Sequence, residues 1–153
     1  MFSPHFRAKS NGIWVYGHYY NNCDRGVNQS FIVSDNEETG IGDHFLVDSN
    51  TLSVCTGLRD LQSKLIFEGD FLEDLYKDED IEIISYVPVV YNNDTATFCI
   101  DNSYYKNHIS LVSLIDYFGS HLVVNGNIFE NPERLSQQNY NKPDRSSVDG
   151  LPF

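Results

Sequence analysis

The chain is short of positive charge, of methionine and of cysteine, and it lacks any long apolar run. Ten Lys and Arg face 22 Asp and Glu over 153 residues, a formal net charge of −12. A surface of that sign repels phosphate, which argues against non-specific affinity for nucleic acid or anionic membrane. A protein partner or self-association is the expected contact. Cys23, Cys55 and Cys99 are odd in number and too widely spaced for a disulfide framework or a zinc site. They read as free thiols in a reducing compartment. No stretch nears the length of a bilayer span and no basic start leads into an apolar run, so the cytoplasm is expected and a membrane is not. The histidines show no H-x-H or H-x-x-x-H spacing. A Gly-rich phosphate loop followed by Lys and a G-x-S-x-G elbow are also missing. No cofactor and no metal are expected.

What is present is aromatic and β-branched. Ten Tyr and ten Phe stand against one Met, a balance that suits sheets better than a helical bundle. "FRAKSNGIWVYGHYY" predicts a hairpin: a strand from Phe6 to Lys9, a turn at Ser10-Asn11-Gly12 and a return strand from Ile13 to Tyr20. Asn-Gly suits a turn that needs positive φ. A third short strand is expected at 31–33, followed by a polar surface loop whose "TGIGDH" lacks the Lys of a phosphate cradle. Further strands are expected at 45–47 and 52–56, then around Leu65, Phe67 and Phe71 on one face with Ile66 on the other. The eight acids of residues 68–82 predict a solvated loop or one exposed helical turn after Leu72.

"IISYVPVVY" and "TATFCI", joined through Asn92-Asn93-Asp94, form the clearest hairpin. Pro88 cannot donate to a ladder, so its arm is expected at a sheet edge or on a bulge. Residues 109–118 carry an apolar stripe near the helical period and predict the one helix, stopped by Gly119. "HLVVNGNIFENP" returns to strand with Gly126 as a bulge and Pro132 as the stop. The tail, 136–153, is polar and expected to be mobile. The fold class expected is mainly β (β-rich α+β): a small SH3-like barrel over about residues 45–130, with the N-terminal hairpin packed on it and one short helix, in a single domain 1–135. A five-stranded α+β sheet is the alternative.

Three pieces in order resemble the YopX family of phage and prophage proteins. "FRAKSNGIWVYGHY" resembles the family's opening FRA/G…W-V-Y-G segment. "VDSNTLSVCTGLRDLQSKLIFEGDFL" is similar to its TGL-x-D-x-NGK-x-I-Y-EGD-I-V core. "HLVVNGNIFENPERL" resembles its closing V-x-GN-I-Y-x-NP-E-L. The matching positions include Gly57, Leu58, Asp60, Glu68, Gly69, Asp70, Gly126, Asn127, Asn131 and Pro132, which read as structural. The chain departs from the pattern at Gln62-Ser63, where the family has Asn-Gly, at Phe71-Leu72, and in the 21–44 insert. The resemblance implies a β-rich protein from phage-derived DNA in a bacterial host, and no settled activity.

Physically, Gly57 permits a φ that other residues resist and Leu58 is expected to plug the core. Asp60 is expected to accept backbone N–H groups in its own loop. Gly69 is expected to kink the strand and Asp70 to receive free amides. The competing reading makes Glu68 and Asp70, two residues apart, a carboxylate pair of a hydrolase or metal enzyme. It needs a third ligand, and no nearby His supplies one, so an enzyme is not expected. Cys99 with His121 is a more distant candidate for a catalytic dyad.

Alternation places Trp14, Tyr16 and His18 on one hairpin face, the candidate binding surface. It serves core packing, a protein interface, or the stacking of single-stranded nucleic acid, for which only Arg7, Lys9 and Arg25 are near. The acidic 68–82 run raises a further possibility, a phosphate-backbone mimic that occupies a basic host protein. The function expected is that of a non-catalytic module acting through protein contacts or self-assembly.

Overall fold

The computed structural model describes residues 5–34, 42–101, 111–117 and 122–137, with the backbone alone at 74–78, 81, 83, 117 and 137. Strands dominate, as the composition requires. They fall into two units, Met1–Asp70 and Phe71–Phe153.

In the first unit, β1 (Phe6–Ser10) and β2 (Ile13–Asn22) make the expected hairpin. Asn11 and Gly12 turn it at φ 49° and 79°, the doubly positive geometry that matches strand twist. A single 3-10 turn at Asp24–Gly26 leads to β3 (Gln29–Val33), and β4 runs from His44 to Arg59. β1 pairs with both β2 and β4, and β3 also pairs with both, so these four strands close an antiparallel ring. The barrel-like closure is thus made by the N-terminal hairpin itself, together with β3 from the 21–44 insert.

Closing so small a ring requires bent strands. β2 pairs with β1 as far as Gly17 and with β3 from His18 onward. A Cβ on Gly17 would lie 1.9 Å from the Val33 carbonyl oxygen, so only glycine lets β3 approach at the changeover. β4 is one strand where two were expected. It pairs in turn with β3, β1 and β5 (Leu65–Phe67). Ala8, Ile32 and Val47 fill the interior, packed by Phe6, Val15, Tyr19, Phe45 and Leu52. Full burial of a side chain such as Ile32 contributes ~1.5–3 kcal/mol.

The second unit is a sheet in the order β10-β6-β7-β8-β9. Its strands are β6 (Asp70–Asp78), β7 (Ile81–Asn92), β8 (Thr97–Asp101), β9 (Leu111–Ser113) and β10 (Val123–Asn127). Phe71, Leu72, Val87, Val89, Ile100, Leu114, Leu122 and Val124 are buried.

Three expectations are corrected here. The acidic run is not a loop: β6 and β7 pair continuously from Phe71↔Pro88 to Asp78↔Ile81. An antiparallel ribbon can carry charge wherever one face meets water, so charge density alone is a poor guide to loops. Pro88 lies inside β7 at neither an edge nor an assigned bulge. It is the last residue paired to β6, and Val89 is the first paired to β8, so its missing N–H falls where the strand changes partner. The helix shrinks to one turn, α1 (Leu114–Tyr117). Val112 instead pairs with Ile100 and Ser113 with Cys99, because ladder pairing outweighs the weak propensity of a short apolar stripe.

A second turn of helix, α2 (Arg134–Gln137), follows β10. Thr39–Ile41 of the glycine loop, the flanks 109–110 and 118–119 of the expected helix, His121 with the Cys99 dyad, and tail residues 138–153 lie outside the described residues. Among the described residues no helix is long and apolar enough to cross a membrane.

Candidate binding face and its buried clasp

Position within the ring sorts the β1–β4 side chains into two sets. Ala8, Val15, Tyr19, Ile32, Phe45 and Val47 point inward. Alternation therefore sends Arg7, Lys9, Trp14, Tyr16, His18, Tyr20, Phe31, Val33, His44 and Leu46 outward. Trp14, Tyr16 and His18 do share a side, and the structure gives each a different neighbour. Trp14 is half-buried against Arg7, with the guanidinium carbon 4.4 Å from the ring centre and Lys9 Nζ at 5.2 Å. The Tyr16 ring packs on Phe67 at 5.6 Å, and His18 sits beside His5 at 5.3 Å.

Beyond Gly17 the same face continues in two rows. His18 pairs across to Val33 and then His44, and Tyr20 pairs across to Phe31 and then Leu46. Tyr20 and Phe31 stack at 5.1 Å with an interplanar angle of 11°, and the Tyr20 hydroxyl lies 3.0 Å from His44 Nδ1. Tyr20 is 37% exposed and Leu46 54%. Alternation along β2 alone supplies only His18 and Tyr20 to these rows, and Val33, Phe31, His44 and Leu46 join them through pairing with β3 and β4.

Arg7 itself is buried. Its Nη2 donates to Asp70 Oδ1 at 2.5 Å, with side-chain exposures of 4% and 1%. The guanidinium also lies 4.7 Å from the Phe67 ring centre, so two aromatic rings take the place of lost hydration. Arg7 Nε has no partner among the described residues. Asp70 Oδ2 accepts the Phe67 N–H at 2.9 Å, so both carboxylate oxygens are engaged. Burial pushes the Asp70 carboxyl above its usual range, against the opposing pull of Arg7, the Phe67 N–H and Lys64. Burial alone pushes Glu68 up. The Glu68 N–H bonds to the Val54 carbonyl at 2.9 Å.

The other motif residues hold the backbone. Gly57 (φ 79°) lies in the bulge between the Cys55↔Phe67 and Arg59↔Leu65 pairs. Leu58 is half-buried rather than a core plug, and Ile66 and Phe67 are both buried, so β5 shows no one-sided alternation. Asp60 Oδ1 accepts the N–H groups of Gln62 and Lys64 at 2.9 and 2.8 Å. That clasp shapes a five-residue loop where the family pattern has a tight Asn-Gly turn. Gly69 (φ 84°) forms the turn between β5 and β6 rather than a kink within one strand.

In the second unit, Asn127 is buried and its Oδ1 accepts the N–H groups of Phe129 and Glu130, both at 3.0 Å. Asn131 and Asn127 bond to each other, and Pro132 opens the turn into α2. Among the described residues no group of three His, Cys, Asp or Glu is placed to hold a metal ion.

The class these features define is a two-sheet β protein whose first sheet closes on itself around a buried arginine–carboxylate clasp. The chain belongs to the YopX family: the family model described as YopX protein matches residues 5–136. The fold is also that of a crystal structure titled protein EF1440 from Enterococcus faecalis. The match has a TM-score of 0.55 at 21% identity, over 88% of this chain and 99% of that one. No curated protein matches the chain.

Proposed function

We propose that this protein is a non-catalytic, phage- or prophage-derived binding module that engages a protein partner through the outer aromatic face of its first unit. The observation that carries the reading is the pair of rows His18-Val33-His44 and Tyr20-Phe31-Leu46 on one wall of the ring, exposed at their ends and half-buried at Val33 and Phe31. Tyr, Phe and Leu held on strands lose little side-chain entropy on binding, and Tyr is enriched where interfaces are built. A catalytic role for the Glu68–Asp70 pair fits less well, because both Asp70 oxygens are already engaged by Arg7 and Phe67. Single-stranded nucleic acid fits less well too, since the cation nearest the aromatic stripe is buried and paired.

The test compares the wild-type chain with a Tyr20→Lys/Leu46→Lys variant of matched thermal stability, each used as bait in host-cell extract. A specific partner lost only by the variant supports the reading. Equal capture by both baits overturns it, and a shift of single-stranded oligonucleotides at low salt replaces it with the nucleic-acid alternative.

A second reading rests on the β6–β7 hairpin. The ladder sets the backbone spacing of Glu73, Asp74, Asp78 and Glu82, and acids at regular spacing are what a mimic of a phosphate backbone needs. Tight association with a basic DNA-binding protein that weakens steeply with salt is the expected signature.

A further inference from the structure

The end strands of the two sheets are unequal. β5 and β9 have three residues each, and β10 has five, Val-Val-Asn-Gly-Asn. Unpaired N–H and C=O groups on such an edge are a template for strand addition by another chain. β10 is not left in that state. Its backbone pairs with β6, and the segment that follows folds back onto backbone groups of Asn125 and Asn127. The Asn127 N–H donates to Asn131 Oδ1 at 3.3 Å, and the Asn127 carbonyl accepts the Asn131 N–H at 2.9 Å. Arg134 Nη1 donates to the Asn125 carbonyl, and Nη1 and Nη2 reach Asn125 Oδ1 at 3.3 and 3.2 Å.

Arg134 is in turn held in place. Its guanidinium lies 4.0 Å from the Tyr86 ring centre and 5.8 Å from that of Phe71. Asn125 is fixed from its other side by its Nδ2 bond to Glu73 on β6, 2.7 Å long. Gly126 makes the close approach possible, since a Cβ there would lie 2.3 Å from Asn131 Oδ1 and 2.6 Å from Arg134 Nη1.

We propose that the Asn131–Arg134 turn is an edge lock: it occupies the Asn125 carbonyl and the N–H and carbonyl of Asn127, and so keeps a second copy of the chain from adding its own β10 there. The side chain of Arg134 thus does for this edge what a covering strand would do. The lock is independent of the aromatic face of the first unit, so either can fail without the other.

The experiment uses the full chain with Arg134→Met, which keeps an apolar stem against Tyr86 and removes the hydrogen bonds, and with Asn131→Ala. Light scattering after size exclusion is expected to show a higher mass for both variants than for wild type at equal concentration. The Asn127 amide is expected to exchange roughly fivefold faster in dilute Asn131→Ala, the factor one net hydrogen bond supplies. Adding Asn125→Pro to Arg134→Met should return the mass to the wild-type value, because proline offers no N–H to an incoming strand. Wild-type mass in both single variants, with circular dichroism showing them folded, overturns the lock. Assembly that survives Asn125→Pro does so too, and assembly that disappears only with Tyr20→Lys/Leu46→Lys assigns it to the aromatic face instead.

Discussion

Arg7 and Asp70 stand 63 residues apart in the chain and meet at 2.5 Å, both almost wholly out of solvent. One belongs to the first strand of the ring and the other is the first residue of β6, so the contact ties the start of the first unit to its end. Desolvating two charges costs more than their attraction commonly returns. The upward displacement of the Asp70 carboxyl, with burial as its largest cause, is the same balance seen from the proton's side.

Removing one partner should therefore hurt far more than removing both. Arg7→Met or Asp70→Asn alone is expected to cost about 3–5 kcal/mol, because each leaves a buried group without its complement. The double variant is expected to recover most of that loss. Urea denaturation of the four proteins as a double-mutant cycle measures it, and simple addition of the two penalties would show that the residues act independently.

Glu68 gives the pH dependence its sign. An acid whose folded pKa lies above its unfolded pKa holds a proton longer in the folded state, so stability falls as pH rises through the interval between them. Burial moves Glu68 in that direction from its ordinary 4.5. Glu68→Gln is expected to be at least as stable as wild type at pH 7, with the difference vanishing below pH about 4. Asp70 shifts in the same sense, so part of the slope should remain in the variant. Thermal melts of both proteins from pH 3 to 7 would reveal an opposite sign at once.

Gly17 is where β2 changes partner, and a methyl group there meets the Val33 carbonyl at 1.9 Å. Gly17→Ala is expected to lose about 1–3 kcal/mol, the usual cost of overpacking, or more if the backbone cannot yield. Gly12 has nothing within 4 Å of a built Cβ, so Gly12→Ala isolates the cost of positive φ without a clash. Chemical denaturation should rank Gly17→Ala as the more damaging change.

Asp60 collects two loop amides on one oxygen. Asp60→Ala is expected to cost about 1–3 kcal/mol through the orphaned N–H groups, and Asp60→Asn, which retains an acceptor, less than half as much. Amide exchange at Gln62 and Lys64 reports the loss directly, and unchanged protection in the alanine variant would mean the loop is held by other contacts.

Local chemistry alone specified a good deal here. The Asn11-Gly12 hairpin, the shared side of Trp14, Tyr16 and His18, the strand-rich class and the family were readable because turn residues, alternation and short motifs act over a few neighbouring positions. Asp60 could be assigned to its own loop for the same reason. The acidic hairpin, the handover at Pro88 and the loss of the helix at 111–113 depended on which strand stood alongside, and pairing energy is not written in the segment that benefits from it. Likewise Arg7 gave no local sign that it would be buried, nor Asp70 that its second oxygen belonged to a side chain 63 residues away. Those facts came from closure of the ring, which alone brings distant residues together and removes the water that would otherwise have satisfied their charges.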